Sequence, residues 1–168
     1  MVGFFGKLPS TGDFVARGLP PGLRPVLDQW LTRNVVGGLP LDRGLPDNGI
    51  RLVMAREDGG FAALILPSHD KLGREYPFAI IGMMSDGAPS IVTADGWCDA
   101  VLPAARKVID TPLPPDQALE ALAQISVDGW VADPDQSGCL IWVKGTDPIG
   151  ADGATAADAV AQMAVSST

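Results

Sequence analysis

Ile50-Arg51-Leu52-Val53-Met54-Ala55 and Phe61-Ala62-Ala63-Leu64-Ile65-Leu66 enclose the segment Arg56-Glu57-Asp58-Gly59-Gly60. The two flanks are apolar and strand-like, and the residues between them carry Asp-Gly, a hairpin signal. A hairpin imposes antiparallel pairing. Residues 67–76 then form a polar loop. Pro77 to Met84 is nearly continuously apolar and reads as a central strand covered on both faces. Toward the N-terminus, Val2 to Gly6 reads as a short strand, and the turn formers Pro9, Gly12, Gly18 and Pro20 occupy residues 7–20. Toward the C-terminus, Cys139 to Lys144 reads as the last strand.

Helical periodicity fills the gaps. Leu23, Val26, Leu27, Trp30 and Leu31 form one apolar stripe, opened by Pro21 and closed by Gly37-Gly38. Trp97, Cys98, Val101, Leu102, Ala105, Val108 and Ile109 mark a face over Thr93 to Asp110, where Pro103 predicts a kink or a junction of two helices. Pro115 opens a helix with Leu119, Leu122 and Ile125 inward. Thr155 is placed to cap a short Ala-rich helix with Asp158 in its first turn, whose weak inward face of Val160 and Met163 predicts fraying. The order strand, helix, three strands, two helices, strand, helix gives an α/β fold. A mixed, largely antiparallel sheet of about five strands, covered by helices on both faces, fits it.

The chain has 168 residues, a length that suits one domain, read as 1–168. With 46% apolar and 19% charged residues it is no disordered chain. The 20 Gly and 15 Pro predict many fixed turns. Net charge is −8, which argues against nucleic acid or an anionic membrane as partner. The charge is uneven. Residues 1–51 carry net +2, residues 52–111 net −3 and residues 112–168 net −7. The acidic last third reads as a solvated face, with a surface for a basic partner as the alternative. No apolar run reaches the length of a membrane span, and the start lacks a secretory pattern, so a cytoplasmic protein is expected. Cys98 and Cys139 read as core residues.

The chemistry-bearing motifs are few. Ser68-His69-Asp70 has the three residue types of a hydrolase triad, but adjacent residues cannot form its hydrogen-bond chain. Asp133-Pro134-Asp135-Gln136-Ser137-Gly138 has the opening spacing of a calcium loop, but Lys144 stands where the closing carboxylate is needed. No metal or cofactor is expected. Two polar clusters remain: Lys7, Ser10, Thr11 and Asp13, and His69, Asp70, Lys71, Arg74 and Glu75. If they meet, Asp13 or Asp70 can pair with Arg74 through a two-pronged hydrogen bond. An internal ion pair holding two long loops is the favoured reading. A recognition surface or an acid/base site is the alternative.

Residues 3–14, Gly3-Phe4-Phe5-Gly6-Lys7-Leu8-Pro9-Ser10-Thr11-Gly12-Asp13-Phe14, with Arg17-Gly18-Leu19-Pro20, resemble the opening signature of the TagF family, also called ImpM, of type VI secretion accessory proteins. Pro67-Ser68-His69-Asp70-Lys71-Leu72-Gly73-Arg74-Glu75-Tyr76-Pro77-Phe78 resembles its second signature. Trp142 stands where the family often has two tryptophans. The resemblance spans roughly residues 3–145 and leaves 146–168 as a C-terminal extension. It implies a three-layer αβα sandwich. It also implies a non-enzymatic, post-translational negative regulator that binds a forkhead-associated scaffold protein. Lys7, Pro9, Gly12, Asp13, Asp70, Gly73, Arg74 and Pro77 carry over as signature positions that shape the loops, with no catalytic residue. Arg17, Lys71 and Tyr76 are the candidate partner anchors, expected to be exposed. Two rival readings remain: a hydrolase-like enzyme using Asp13, Asp70 and Arg74 with Lys7, and a structural subunit of the secretion assembly. Oligomeric state is not legible in the sequence.

Overall fold

The computed structural model describes residues 1–166. In chain order, β1 is Val2–Gly6, β2 Val15–Arg17 and α1 Leu23–Trp30, which runs on as a π-helix over Leu31–Val36. Next come β3 Arg43–Gly44, β4 Ile50–Arg56, β5 Gly59–Leu66, β6 Phe78–Met84 and β7 Ala88–Pro89. Helices α2, Ile91–Asp110, and α3, Pro115–Ala123, follow. The chain continues through β8 Ala132–Asp133, β9 Cys139–Trp142, β10 Ile149–Gly150, α4 Ala156–Met163 and β11 Val165–Ser166.

The main sheet has seven strands in the order β10-β9-β4-β5-β6-β1-β2. The expected α/β class stands. The sheet is larger than the expected five strands, because β2 and β10 add short edges. Each pairing in it is antiparallel, so the long crossovers bring no parallel neighbours. The predicted hairpin is β4–β5, with Arg56 opposite Gly59. The predicted central strand is β6, between β5 and β1.

Strand alternation sends successive side chains to opposite faces. Phe4, Leu64 and Ile80 join the core under α2 and α3. Phe5, Ile65, Ala79 and Ile81 join the core under α1, the π-turns and α4. Helices therefore cover both faces. Leu23, Leu27, Leu31 and Val35 are buried, so the predicted stripe holds through the π-helical stretch. A bond from the Gly37 amide to the Thr32 carbonyl, five residues back and 3.0 Å long, closes that stretch.

Helix α2 runs unbroken past Pro103. Pro103 lies on the exposed side, where one missing backbone bond is left to water. Ser90 caps it, its Oγ accepting from the Thr93 amide at 3.2 Å. The expected Thr155 cap is corrected: Thr155 Oγ1 donates to the Asp152 carbonyl at 2.8 Å, and a 3₁₀ turn over Gly153–Thr155 leads into α4. Val160, Ala156 and Ala159 are buried, since small residues let α4 sit close to the π-turns.

Candidate functional site: two signature loops at one end of the sheet

The register brings the two signatures together. Gly6, the last residue of β1, pairs with Phe78, the first residue of β6. Phe78 also pairs with Leu66, the last residue of β5. The loop after β1 and the loop between β5 and β6 therefore leave the same end of the sheet, side by side. Gly6 has φ 143°, and a Cβ there would fall against the backbone oxygen of Pro77. Glycine is what lets the two loops start in contact.

Asp70 is the hub. It is 0% exposed. Its Oδ1 accepts from the Leu72 amide at 2.9 Å and the Arg74 amide at 3.0 Å. Its Oδ2 meets Arg74 Nε at 2.8 Å and Lys7 Nζ at 3.2 Å. Burial alone raises the Asp70 pKa. The bonds from the Arg74 backbone, Lys7, the Arg74 side chain and the Leu72 backbone outweigh it and hold the carboxyl well below the usual range.

Further bonds tie one loop to the other. Arg74 Nη2 donates to the Gly12 carbonyl at 2.6 Å, the Lys71 amide to the Thr11 carbonyl at 2.8 Å, and Ser68 Oγ to the Lys7 carbonyl at 2.8 Å. The two polar clusters of the sequence do meet.

Asp13 does not join them. It is exposed, and its Oδ1 accepts from the next amide, Phe14, at 2.7 Å. The expected choice of Asp13 or Asp70 for Arg74 is resolved in favour of Asp70. Gly73 sits at the loop tip with φ 79°. Pro9 is half-buried and Pro77 buried beside the cluster. Gly12 leaves room for the Lys71 side chain, whose Cε would lie 3.2 Å from a Cβ. Ser68 and His69 form no relay, because His69 Nδ1 faces the Asp70 carbonyl at 2.8 Å.

Of the three candidate anchors, Lys71 and Arg17 are exposed, and Arg17 Nε pairs with Asp116 at 2.6 Å. The expectation of an exposed Tyr76 is corrected: it is only 7% exposed. Its ring packs edge-on against Phe14 at 4.7 Å and Phe5 at 6.1 Å. Its hydroxyl lies 3.1 Å from Thr32 Oγ1 and 3.3 Å from Asp28 Oδ1. Burial, with the nearby Asp28 carboxylate, pushes its pKa up to about 12 against the hydrogen bond from Thr32. Sequence reasoning missed Phe14 as a member of this trio. Lys7 Nζ lies 5.1 Å from the Phe14 ring centre, which links the aromatic trio to the ion cluster.

A second polar network was also missed. Arg51 in β4 is 0% exposed and pairs with Asp95 and Asp99, one turn apart on α2. Trp142 Nε1 donates to Asp95 at 2.7 Å, and Lys144 Nζ meets Asp99 at 3.0 Å. Burial alone lowers the Arg51 pKa, but the bonds to Asp99 and Asp95 outweigh it and raise it. The signal was a lone Arg inside an otherwise apolar strand.

Cys98 and Cys139 are buried, and burial pushes both thiols up to about 12. Asp133 Oδ1 accepts from the Asp135 amide at 3.0 Å, a local turn. Among the described residues no group of three or more His, Cys, Asp or Glu side chains is placed to hold a metal ion, and no helix is long and apolar enough to cross a membrane.

Residues 3–37 and 50–125 match a family model described as the TagF N-terminal domain, Type VI secretion system-associated. Both signatures lie inside the match, and Trp142 lies beyond it. The crystal structure of PA0076 from Pseudomonas aeruginosa PAO1 is similar over 95% of this chain and 76% of that chain, with a TM-score of 0.60 and 21% identity. At that identity the likeness speaks for the fold. No curated protein matches the sequence.

Proposed function

Because the chain belongs to the TagF N-terminal domain family, associated with type VI secretion, we propose that it is a non-enzymatic, post-translational negative regulator of that machine. It acts in the cytoplasm by binding and withholding a forkhead-associated scaffold component. The partner and the direction of regulation come from the family resemblance.

The observation that carries the non-enzymatic part is the state of Asp70. Its two oxygens take four hydrogen-bonded or ion-paired donors, and it is fully buried. A carboxylate so engaged is a poor base and a poor nucleophile. Asp13, the second acid a hydrolase would need, lies outside the cluster. The signature residues thus stiffen two loops, and the stiffened tip presents Lys71 and Leu72, the latter 69% exposed. A rigid tip loses little entropy when a partner covers it.

A pull-down with purified forkhead-associated scaffold tests the reading. The intact chain is retained, and Lys71→Glu with Leu72→Asp lowers retention about tenfold while the melting temperature holds. No association of the intact chain with the scaffold overturns the mechanism. Full retention of the double variant moves the contact off this tip.

A further inference from the structure

The opposite end of the sheet gathers a different surface. There β4 ends at Arg56 and β5 begins at Gly59, the next rung pairs Gly60 with Met84, and β6 ends. Beyond β6, Ala88–Pro89 pairs with Ala132–Asp133. The Ala55 amide donates to the Gly138 carbonyl at 2.9 Å, which sets the turn after β8 beside the hairpin. Glu57, Asp58, Asp86, Asp133 and Asp135, drawn from separate parts of the chain, thus share one end.

Against these five carboxylates stand Arg56, tied to Asp58 at 2.9 Å, and the Met1 amino group, which donates to the Met83 carbonyl at 3.3 Å. Arg17 is engaged with Asp116 and Arg24 lies over the Phe5 ring. These cations leave the end net acidic, with Asp133 and Asp135 supplied by the acidic last third and Glu57, Asp58 and Asp86 by the middle of the chain.

Beside the carboxylates opens a cleft of about 60 Å³ with apolar walls and the Arg56–Asp58 ion pair at its polar mouth. Pro20, Pro21 and Leu23 form one wall, Phe61, Met83 and Met84 the other, and Asp58 stands at its rim. That volume is on the order of four waters, which one aliphatic side chain can replace. Thioether walls adapt to the shape of what enters. Phosphate-bearing partners, whether nucleic acid or anionic lipid, are repelled by the carboxylates. A cationic protein segment is attracted.

We propose that this end docks a basic amphipathic segment of a protein partner. One aliphatic side chain seats between Pro21 and Met84, and flanking Lys or Arg residues reach Asp58, Asp86 and Asp135. The surface lies at the end of the sheet away from Lys71 and Leu72, so it does not depend on the scaffold reading.

The test uses the full chain and two synthetic probes, a short Lys/Leu amphipathic peptide and oligolysine of equal charge. The Lys/Leu peptide binds about tenfold tighter, the gain expected from one buried aliphatic side chain. Its amide-shift footprint falls on residues 56–60 and 83–87. Met84→Ser abolishes the preference without weakening oligolysine, and exposed Asp86→Lys with Asp135→Lys weakens both probes about tenfold. Equal affinity for the two probes, a footprint elsewhere, a Glu/Leu peptide binding as well, or indifference to charge reversal overturns the proposal. If Met84→Ser fails to fold, the charge-reversal pair and the footprint still decide.

Discussion

Asp70 and Arg74 are joined twice, by the Arg74 amide to Oδ1 at 3.0 Å and by Arg74 Nε to Oδ2 at 2.8 Å. The same arginine then reaches across to the Gly12 carbonyl at 2.6 Å. One side chain thus closes its own loop and clamps the neighbouring one. With its pKa depressed in the folded state, Asp70 contributes stability that is present above the unfolded carboxylate pKa of about 4. That stability is lost as pH falls through the lower folded value. Thermal melts of the wild type should therefore drop steeply below about pH 4. Asp70→Asn should melt about 10 °C lower at neutral pH, since it leaves Lys7 buried beside an uncharged group, and its acid limb should be shallower. An unchanged acid limb would show that Asp70 is not the group being protonated.

Tyr76 is the single tyrosine, so its ionisation can be read alone by ultraviolet absorbance. The midpoint should lie near 12. A phenol whose folded pKa is raised favours the fold fully below its unfolded value of about 10. That contribution, about 2–3 kcal/mol, is lost as pH rises from 10 toward 12. Alkaline unfolding should accordingly begin near pH 10 in wild type and be displaced in Tyr76→Phe. A midpoint at 10 in the folded protein would place the ring in water, contrary to its packing on Phe14.

Arg51→Ala should be far more damaging than Arg51→Met. Alanine leaves a cavity and sets Asp95 and Asp99 beside each other with Lys144 as the remaining cation and the Trp142 indole as the remaining donor, a loss of about 3–5 kcal/mol, or roughly 10 °C of melting temperature. Methionine refills the space among apolar neighbours and still leaves the two carboxylates half in water, so its cost is smaller. Chemical denaturation of both variants measures the order; equal losses would mean that the ion network, rather than volume, dominates.

What was legible in the sequence follows the length of each periodic run. The β4–β5 hairpin, β6 and the faces of α2 and α3 stood out because each buries several side chains in a regular repeat. Strands β2 and β10 did not, since three and two residues make no pattern and their pairing depends on a neighbour set by the rest of the fold. A meeting of the two polar clusters through Arg74 is legible as chemistry, but the Lys7–Asp70 pair is not, because its geometry comes from the Gly6–Phe78–Leu66 rung. Tyr76 reads as exposed because it lies in the polar loop 67–76. Its ring turns inward against Phe5 and Phe14 instead, with its hydroxyl held beside Thr32 and Asp28. Arg51 was overlooked because a charge in a buried strand is interpretable only once Asp95 and Asp99 are seen across from it.

The two signature glycines make opposite demands, and alanine should separate them. At Gly73 a Cβ meets nothing within 4 Å, so Gly73→Ala pays only the left-handed backbone strain, about 1–2 kcal/mol. At Gly6 the same backbone constraint coincides with the Pro77 carbonyl where the Cβ would be. Backbone cannot swing aside as a side chain can, so Gly6→Ala must separate β1 from β6 at the rung that launches both loops. Gly73→Ala should melt a few degrees low with protected amides throughout β1 and β6. Gly6→Ala should lose hydrogen-exchange protection at Phe5, Lys7 and Phe78, and should release the Lys7–Asp70 pair with it. Equal melting temperatures for the two variants would mean that the contact between the signatures is not what holds the loops in place.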